Sequence, residues 1–270
     1  MAEAIGKSRV VILCGNDVRH FNTCASLIRS GVNVVGIVSC NQEKAGVPVN
    51  YIFKMISKNG FFLTLSQIVG KVYYSLLNRK KDAQIKKKLF DRDVIMKAIE
   101  SWRREVYKTS DYNDDTTIKY IESLEPDVLL VHTPYWVGKR VRELSKSGFV
   151  IGGHPGITPD YRGAHSAFWA IYNDKPQDVG YSVFLLDRGV DTGAVIQQGR
   201  VKIEEGDSFV TLGWKGMIEQ ARVQAEVLLE FDKTGKIDAK PHDNIRDNTL
   251  YDNPGIFQIL KYQLKRTGVR

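Results

Sequence analysis

Gly148-Phe-Val-Ile-Gly-Gly-His-Pro-Gly-Ile-Thr-Pro-Asp-Tyr-Arg-Gly-Ala-His165, with Asp187-Arg-Gly-Val-Asp-Thr-Gly193 after it, is the stretch from which the fold is read. Between the two lie a helical segment at 166–173 and an apolar run carrying Val179, Tyr181, Val183 and Leu185. His154 follows the β-branched pair Val150 and Ile151, which places it at the carboxyl end of a strand. In an open α/β sheet, ligands bind at that end. Asp191 stands in a second glycine-punctuated loop, after a second strand. Two strand ends therefore offer a histidine and a carboxylate, the pair that can orient and charge an imidazole.

The chain before this stretch supplies the rest of a sheet. Residues 9–14, with Val10, Val11, Ile12 and Leu13, read as a buried first strand, and Gly15-Asn16-Asp17 as the turn after it. A helix at 20–29 stops at Gly31, and 34–38 is a second buried strand. Strand, helix and strand within about 30 residues make a βαβ unit, hence a parallel sheet. The first turn is not a GxGxxG fingerprint, which disfavours a dinucleotide enzyme. Further on, 106–108 reads as a short strand, 115–123 as a helix and 127–131 as a third buried strand. The loop His132-Thr133-Pro134-Tyr135-Trp136 follows, then a helix expected over 137–147. After Gly193, short strands are expected at 195–197 and 201–203, a long amphipathic helix at 209–231, and a last helical stretch at 256–265.

Net charge is +8, and residues 54–108 account for it, with 14 Lys/Arg against 5 Asp/Glu. So local a charge argues against a surface coated by nucleic acid. Residues 51–78 are apolar with scattered lysines; spacings such as 65/68/69/72/73/76 fit an amphipathic helix, and Arg79-Lys80-Lys81 and Lys86-Lys87-Lys88 follow. The favoured reading is a helical insertion, about 42–108, packed on the sheet with a solvated charged face. The alternative is a peripheral helix lying on an anionic membrane or another polyanion. No apolar run reaches about 18 residues and residues 1–7 lack a signal-peptide core, so the expected compartment is the cytoplasm. Cys14, Cys24 and Cys40 form no metal-ligand spacing and read as buried free thiols; no metal is expected.

The motif His154, Tyr161-Arg162-Gly163 and Asp187-x-Gly189-x-Asp191-Thr192-Gly193 resembles the core of the folate-dependent formyltransferases, which act on glycinamide ribonucleotide, methionyl-tRNA or nucleotide sugars. The family's Asn, two residues before its His, is Gly152 here. The resemblance implies a Rossmann-like, mainly parallel sheet with helices on both faces, a catalytic domain over 1–231 and a C-terminal extension over 232–270. It implies N10-formyltetrahydrofolate as co-substrate, with Thr133, Pro134, Tyr135, Trp136, Val137, Leu186 and Asp187 around it. It also implies that Gly15, Asn16, Asp17 and Arg162 meet the acceptor, and that His154 and Asp191 do the chemistry beside Gly152. A 39-residue tail is too short for the barrel domain of the tRNA enzyme and is not needed by the purine enzyme, which leaves an amino sugar on a nucleotide. For the lost Asn three readings stand: another donor (Asn173, His132, His165 or a backbone N–H at Gly152-Gly153), a non-catalytic or weakly active relative that binds a nucleotide sugar or folate, or an engineered change. The oligomeric state is not legible.

Overall fold

The computed structural model describes residues 6–41, 49–243, 245 and 247–268. Strand β1 (Val10–Gly15) is buried throughout and leads into helix α1 (Val18–Arg29), whose first turn is capped by the Asp17 side chain. Strand β2 (Val34–Cys40) is equally buried. Helices α2 (Val49–Asn59), α3 (Phe61–Leu89) and α4 (Arg92–Ser101) then interrupt the alternation before strand β3 (Tyr107–Thr109). Helix α5 (Asp115–Ser123), capped by Asp114, precedes β4 (Val128–His132). The chain continues through α6 (Lys139–Arg142), β5 (Val150–His154), β6 (Arg162–Gly163), α7 (Ser166–Tyr172), β7 (Gly180–Leu185) and β8 (Val195–Arg200). Helix α8 (Phe209–Thr234) opens with a capping box between Ser208 and Thr211 and ends at the left-handed Gly235. Strand β9 (Leu250–Tyr251) and helix α9 (Ile256–Gly268) complete the described chain.

Seven strands form one sheet in the order β3-β2-β1-β4-β5-β7-β8. The five strands from β3 to β5 run parallel, and β7 and β8 add antiparallel. Strand order reverses between β1 and β4, so the loops after these strands flank a topological switch point. Two cores lie on opposite faces: one joins β1, β4 and β5 to α1, α4, α7 and α8, the other packs α5 and α6 beneath Leu13, Leu129 and Val131. This is the expected α/β sheet with helices on both faces. The three cysteines are free and buried.

Several boundaries differ from the sequence reading. The apolar segment 51–78 is divided between α2 and α3, because Gly60 sits at φ 80° in the left-handed region, where a right-handed helix cannot continue; the spacing 65–76 falls within α3. The helix expected over 137–147 survives only as α6: the Ser145 and Ser147 hydroxyls donate to the Asp127 carbonyl and draw the chain out of helical geometry. The strand expected at 201–203 is absent; β8 runs on to Arg200, and Val201 N–H still donates to Val179 O. The first insertion residues, 42–48, lie outside the described residues. Within the insertion, most charged residues of α3 are solvated as expected, but most of its apolar residues face outward with them instead of packing on the sheet.

Residues 247–264 fold back over the catalytic stretch. β9 pairs with β6, and Tyr251 stacks between Tyr161 and Trp169. Trp169 Nε1 donates to Asp252 O, and Gln67 Nε2 of α3 donates to Asn253 O. The extension thus ties the loop before α7 to the insertion.

Candidate active site

His154 ends β5 with its side chain 7% exposed. Its Nε2 donates to Tyr161 O at 2.9 Å and lies 2.7 Å from Ser166 Oγ, while Nδ1 faces Asp191 Oδ2 at 3.2 Å. The Tyr161 carbonyl can only accept, so Nε2 carries an N–H toward it. Asp191 is the more open partner at 19%. It holds φ 53°, and the same Oδ2 accepts from Gly163 N–H at 3.0 Å. A local fold aims this residue: Asp187 Oδ1 takes Gly189 N–H and the Thr192 hydroxyl, closing the turn. Gly193 is required there, since a Cβ would run into the Leu185 carbonyl.

The expected residues divide into three groups. His154, Asp191 and the 161–163 turn come together at the carboxyl end of β5. Arg162 is 4% exposed; its Nη1 reaches Val190 O and its Nε reaches Thr249 Oγ1, so it braces the Asp191 loop against the extension. Asp187 likewise braces by its side chain, and its carbonyl accepts from Arg142 Nη1. Around the β4 loop, Trp136 stands 63% exposed, with its carbonyl held by Asn113 Nδ2. Tyr135 and Leu186 pack against the core, and Val137 is buried within it.

At the switch point, Gly15 lies under the His20 ring and Pro134, where a Cβ would reach 3.0 Å from the ring. Asn16 is exposed. Asp17 is held between Arg19 Nε at 2.6 Å and Lys86 Nζ at 3.0 Å. Burial pushes its carboxyl upward, but the hydrogen bonds and charge of Arg19, joined by Lys86, prevail and hold it below its ordinary range. His20 Nδ1 bonds His132 O at 2.7 Å. Buried His132 has no partner for Nε2, and desolvation, with the charges of His20 and Arg19, lowers its pKa to about 3.

Gly152 shows what replaced the family's Asn. It lies outside the left-handed region, and a Cβ built on it would stand 2.9 Å from Phe184 Cε2 and 3.3 Å from Leu186 Cδ1. The Phe184 ring therefore covers the volume a side chain would use. Of the proposed substitute donors, Asn173 Nδ2 is engaged by Tyr251 Oη, and His165 packs edge-on against Phe209. Sequence reading missed three residues here: Ser166, Phe184 and Lys86. None carried a signal in the sequence: Lys86 meets Asp17 only because α3 turns this side inward, along with Asp82 four residues before it.

A doubly wound sheet with a histidine–carboxylate pair at a strand end defines a Rossmann-like α/β protein with a strand-end polar site. The formyl transferase family model matches residues 63–228, more than half of the chain, and the chain belongs to that family. GDP-perosamine N-formyltransferase of Brucella melitensis is 29% identical over 128 residues, 47% of this chain and 49% of that protein. Methionyl-tRNA formyltransferase of Thermodesulfovibrio yellowstonii is 32% identical over 129 residues, 47% of this chain and 41% of that one. The chain thus spans half or less of the length of these relatives. Among solved structures, a sugar N-formyltransferase from a Shewanella species superposes with TM-score 0.55 at 13% identity, covering 96% of this chain and 87% of that one. Glycinamide ribonucleotide transformylase 1 of Symbiobacterium toebii gives TM-score 0.56 at 13% identity, covering 90% and 96%. At such identity these likenesses are of fold.

Proposed function

We propose that this protein transfers a formyl group from N10-formyltetrahydrofolate to a primary amine, with an amino sugar on a nucleotide as the acceptor. The observation that carries the reading is the His154–Asp191 contact at 3.2 Å, at a strand end of a formyl transferase family member. Support for the acceptor is the similarity to GDP-perosamine N-formyltransferase, an enzyme named for a nucleotide-linked sugar. Exposed Trp136 beside Pro134 suits a flat heterocycle, so the loop of Thr133, Pro134, Tyr135 and Trp136 is the proposed folate wall. The folate supplies the formyl group on its N10. In this reading the amine nitrogen bonds the formyl carbon as the bond to N10 breaks. Asp191, the more open of the pair, takes the proton that the amine sheds and returns it to N10 of the departing tetrahydrofolate. His154 acts from behind, holding Asp191 in place while Tyr161 O and Ser166 fix the ring. Arg19 and Lys86, at the switch-point loop with Gly15, Asn16 and Asp17, are the proposed contacts for the acceptor's phosphates. Arg162 keeps the Asp191 loop in register. Residues 232–270 are read as an extension of the catalytic unit.

A second reading is a family member that binds nucleotide sugar or folate without turnover. It is favoured by Phe184 lying over Gly152, so that position 152 offers no side-chain amide; loss of one such donor typically costs about 10²–10³ in kcat. Single-turnover incubation with N10-formyltetrahydrofolate and a panel of amino-sugar nucleotides separates the two. Formylated product at a rate above the no-enzyme control supports the first reading. Saturable binding with no product supports the second.

A further inference from the structure

Helix α3 is mounted with its polar side inward. Its buried residues are Thr64, Gln67, Gly70 and Asp82, while Phe62 is 85% and Leu76 80% exposed. Hydrogen bonds fix this orientation. Gln67 donates to Asn253 O at 2.8 Å, and Asp82 accepts from Tyr74 Oη at 2.7 Å and from Ser208 Oγ at 2.9 Å. Phe61, Leu65, Ile68, Val72 and Leu76 fall on one side of the helix and form an outward stripe about 22 Å long at 1.5 Å per residue. Helix α9 packs beside α3 and adds exposed Phe257 and Leu264.

The charges these helices carry are nearly all of one sign, with Lys58, Lys86 and Lys265 paired to Asp252, Asp17 and Asp174 outside them. The sequences of α2, α3 and α9 together contain twelve Lys/Arg and a single acid, Asp82, which is buried. The line of the stripe continues along α3 to exposed Arg79 and Lys87, with Lys80 beside them. A second copy of this chain would bring like charge against like charge. A nucleic acid would satisfy the cations but leave the apolar stripe in water. An anionic bilayer matches both features: its acyl boundary takes the stripe, and its headgroups take the lysines.

We propose that the α3–α9 face seats this protein on an anionic membrane surface, with α3 lying in the interface. No helix among the described residues is long and apolar enough to cross a membrane, so the contact is one of lying on, not spanning.

Flotation of the purified chain with vesicles tests this, using phosphatidylcholine alone and phosphatidylcholine carrying on the order of 30 mol % phosphatidylglycerol. The chain is expected to float with the anionic vesicles, less so at about 0.5 M than at about 0.05 M salt. Replacing Arg79, Lys80 and Lys87 by Ala is expected to weaken partition by about five-fold per residue. The pair Phe62→Ser with Leu76→Ser is expected to abolish it at both salts. In the unaltered chain, deuterium uptake across 61–77 should slow when anionic vesicles are added, a readout independent of any variant's folding. The proposal is overturned by absence of flotation, by flotation that the serine pair leaves unchanged, or by unprotected 61–77 in the vesicle-bound chain. It is equally overturned if the chain sediments as a dimer that the serine pair dissociates while no vesicles are bound.

Discussion

Phe184 and Gly152 stand opposite one another in the β5–β7 ladder, and their sizes are complementary. With the ring 2.9 Å from the position of a Cβ, Gly152→Asn is an overpacking change, expected to cost about 1–3 kcal/mol. Backbone strain adds nothing, because Gly152 is not in the left-handed region. Adding Phe184→Leu should relieve the contact, so the double variant should be more stable than the sum of the singles predicts, by about 0.5–3 kcal/mol. Denaturant unfolding of the four proteins checks this. If the formyl-transfer reading holds, the double variant should also gain kcat by roughly 10²-fold, since the amide acts mainly in the transition state. His154 carries a structural as well as a chemical expectation. His154→Ala leaves Tyr161 O, Ser166 Oγ and Asp191 without the ring, so it should lose about 1–3 kcal/mol of stability along with turnover. Asp191→Asn keeps an oxygen for Gly163 N–H, and should cut the transfer rate at least about 10²-fold while folate titrations stay unchanged.

At the scale of elements, the short β6–β9 ribbon connects the catalytic stretch to the extension. Gly163 sits at φ 82° with the Tyr251 carbonyl against the place of a Cβ, and its N–H also holds Asp191. Gly163→Ala is therefore expected to open the ribbon, lower stability by about 1–3 kcal/mol and slow formyl transfer through a misplaced Asp191. Faster proteolysis within 247–253 would report the opening; an unchanged melting midpoint and rate would remove the ribbon from the argument. The sequence made the strands and most helices legible because buried parallel strands read as apolar runs and helix starts carry acidic or hydroxyl caps, as at Asp17, Asp114 and Ser208. The orientation of α3 was not legible. Its apolar residues extend too far around the helix for periodicity to choose a side, and the choice is made by distant partners, Asn253 and Ser208. The same holds at the site. His154 and Asp191 could be read from spacing in loops, whereas Phe184 over Gly152 depends on strand register, which no local pattern encodes.

Across the whole molecule, the histidines give stability a definite dependence on pH. His20, His132 and His165 are each lowered from the ordinary histidine range, with burial as the largest cause. His132 is the extreme case at about 3, fully enclosed and facing His20 and Arg19. A depressed folded value means that the folded state keeps the ring neutral while the unfolded chain takes up a proton. Its contribution is therefore fully present above the unfolded value of about 6.5 and is lost as pH falls toward the folded value. Within that window, from about 6 down to about 4, one such group gives a slope of about 1.4 kcal/mol per pH unit. His132→Leu removes the titrating ring at similar volume, and the buried Nε2 it deletes has no partner to abandon. The variant should consequently show a pH–stability curve flatter by close to one proton between about pH 4 and 6, whatever its absolute stability at neutral pH. Denaturant midpoints measured at half-unit steps for both proteins give the two slopes. Parallel curves would show that His132 takes up its proton in the folded state, and that the strand end at the switch point is wet rather than sealed.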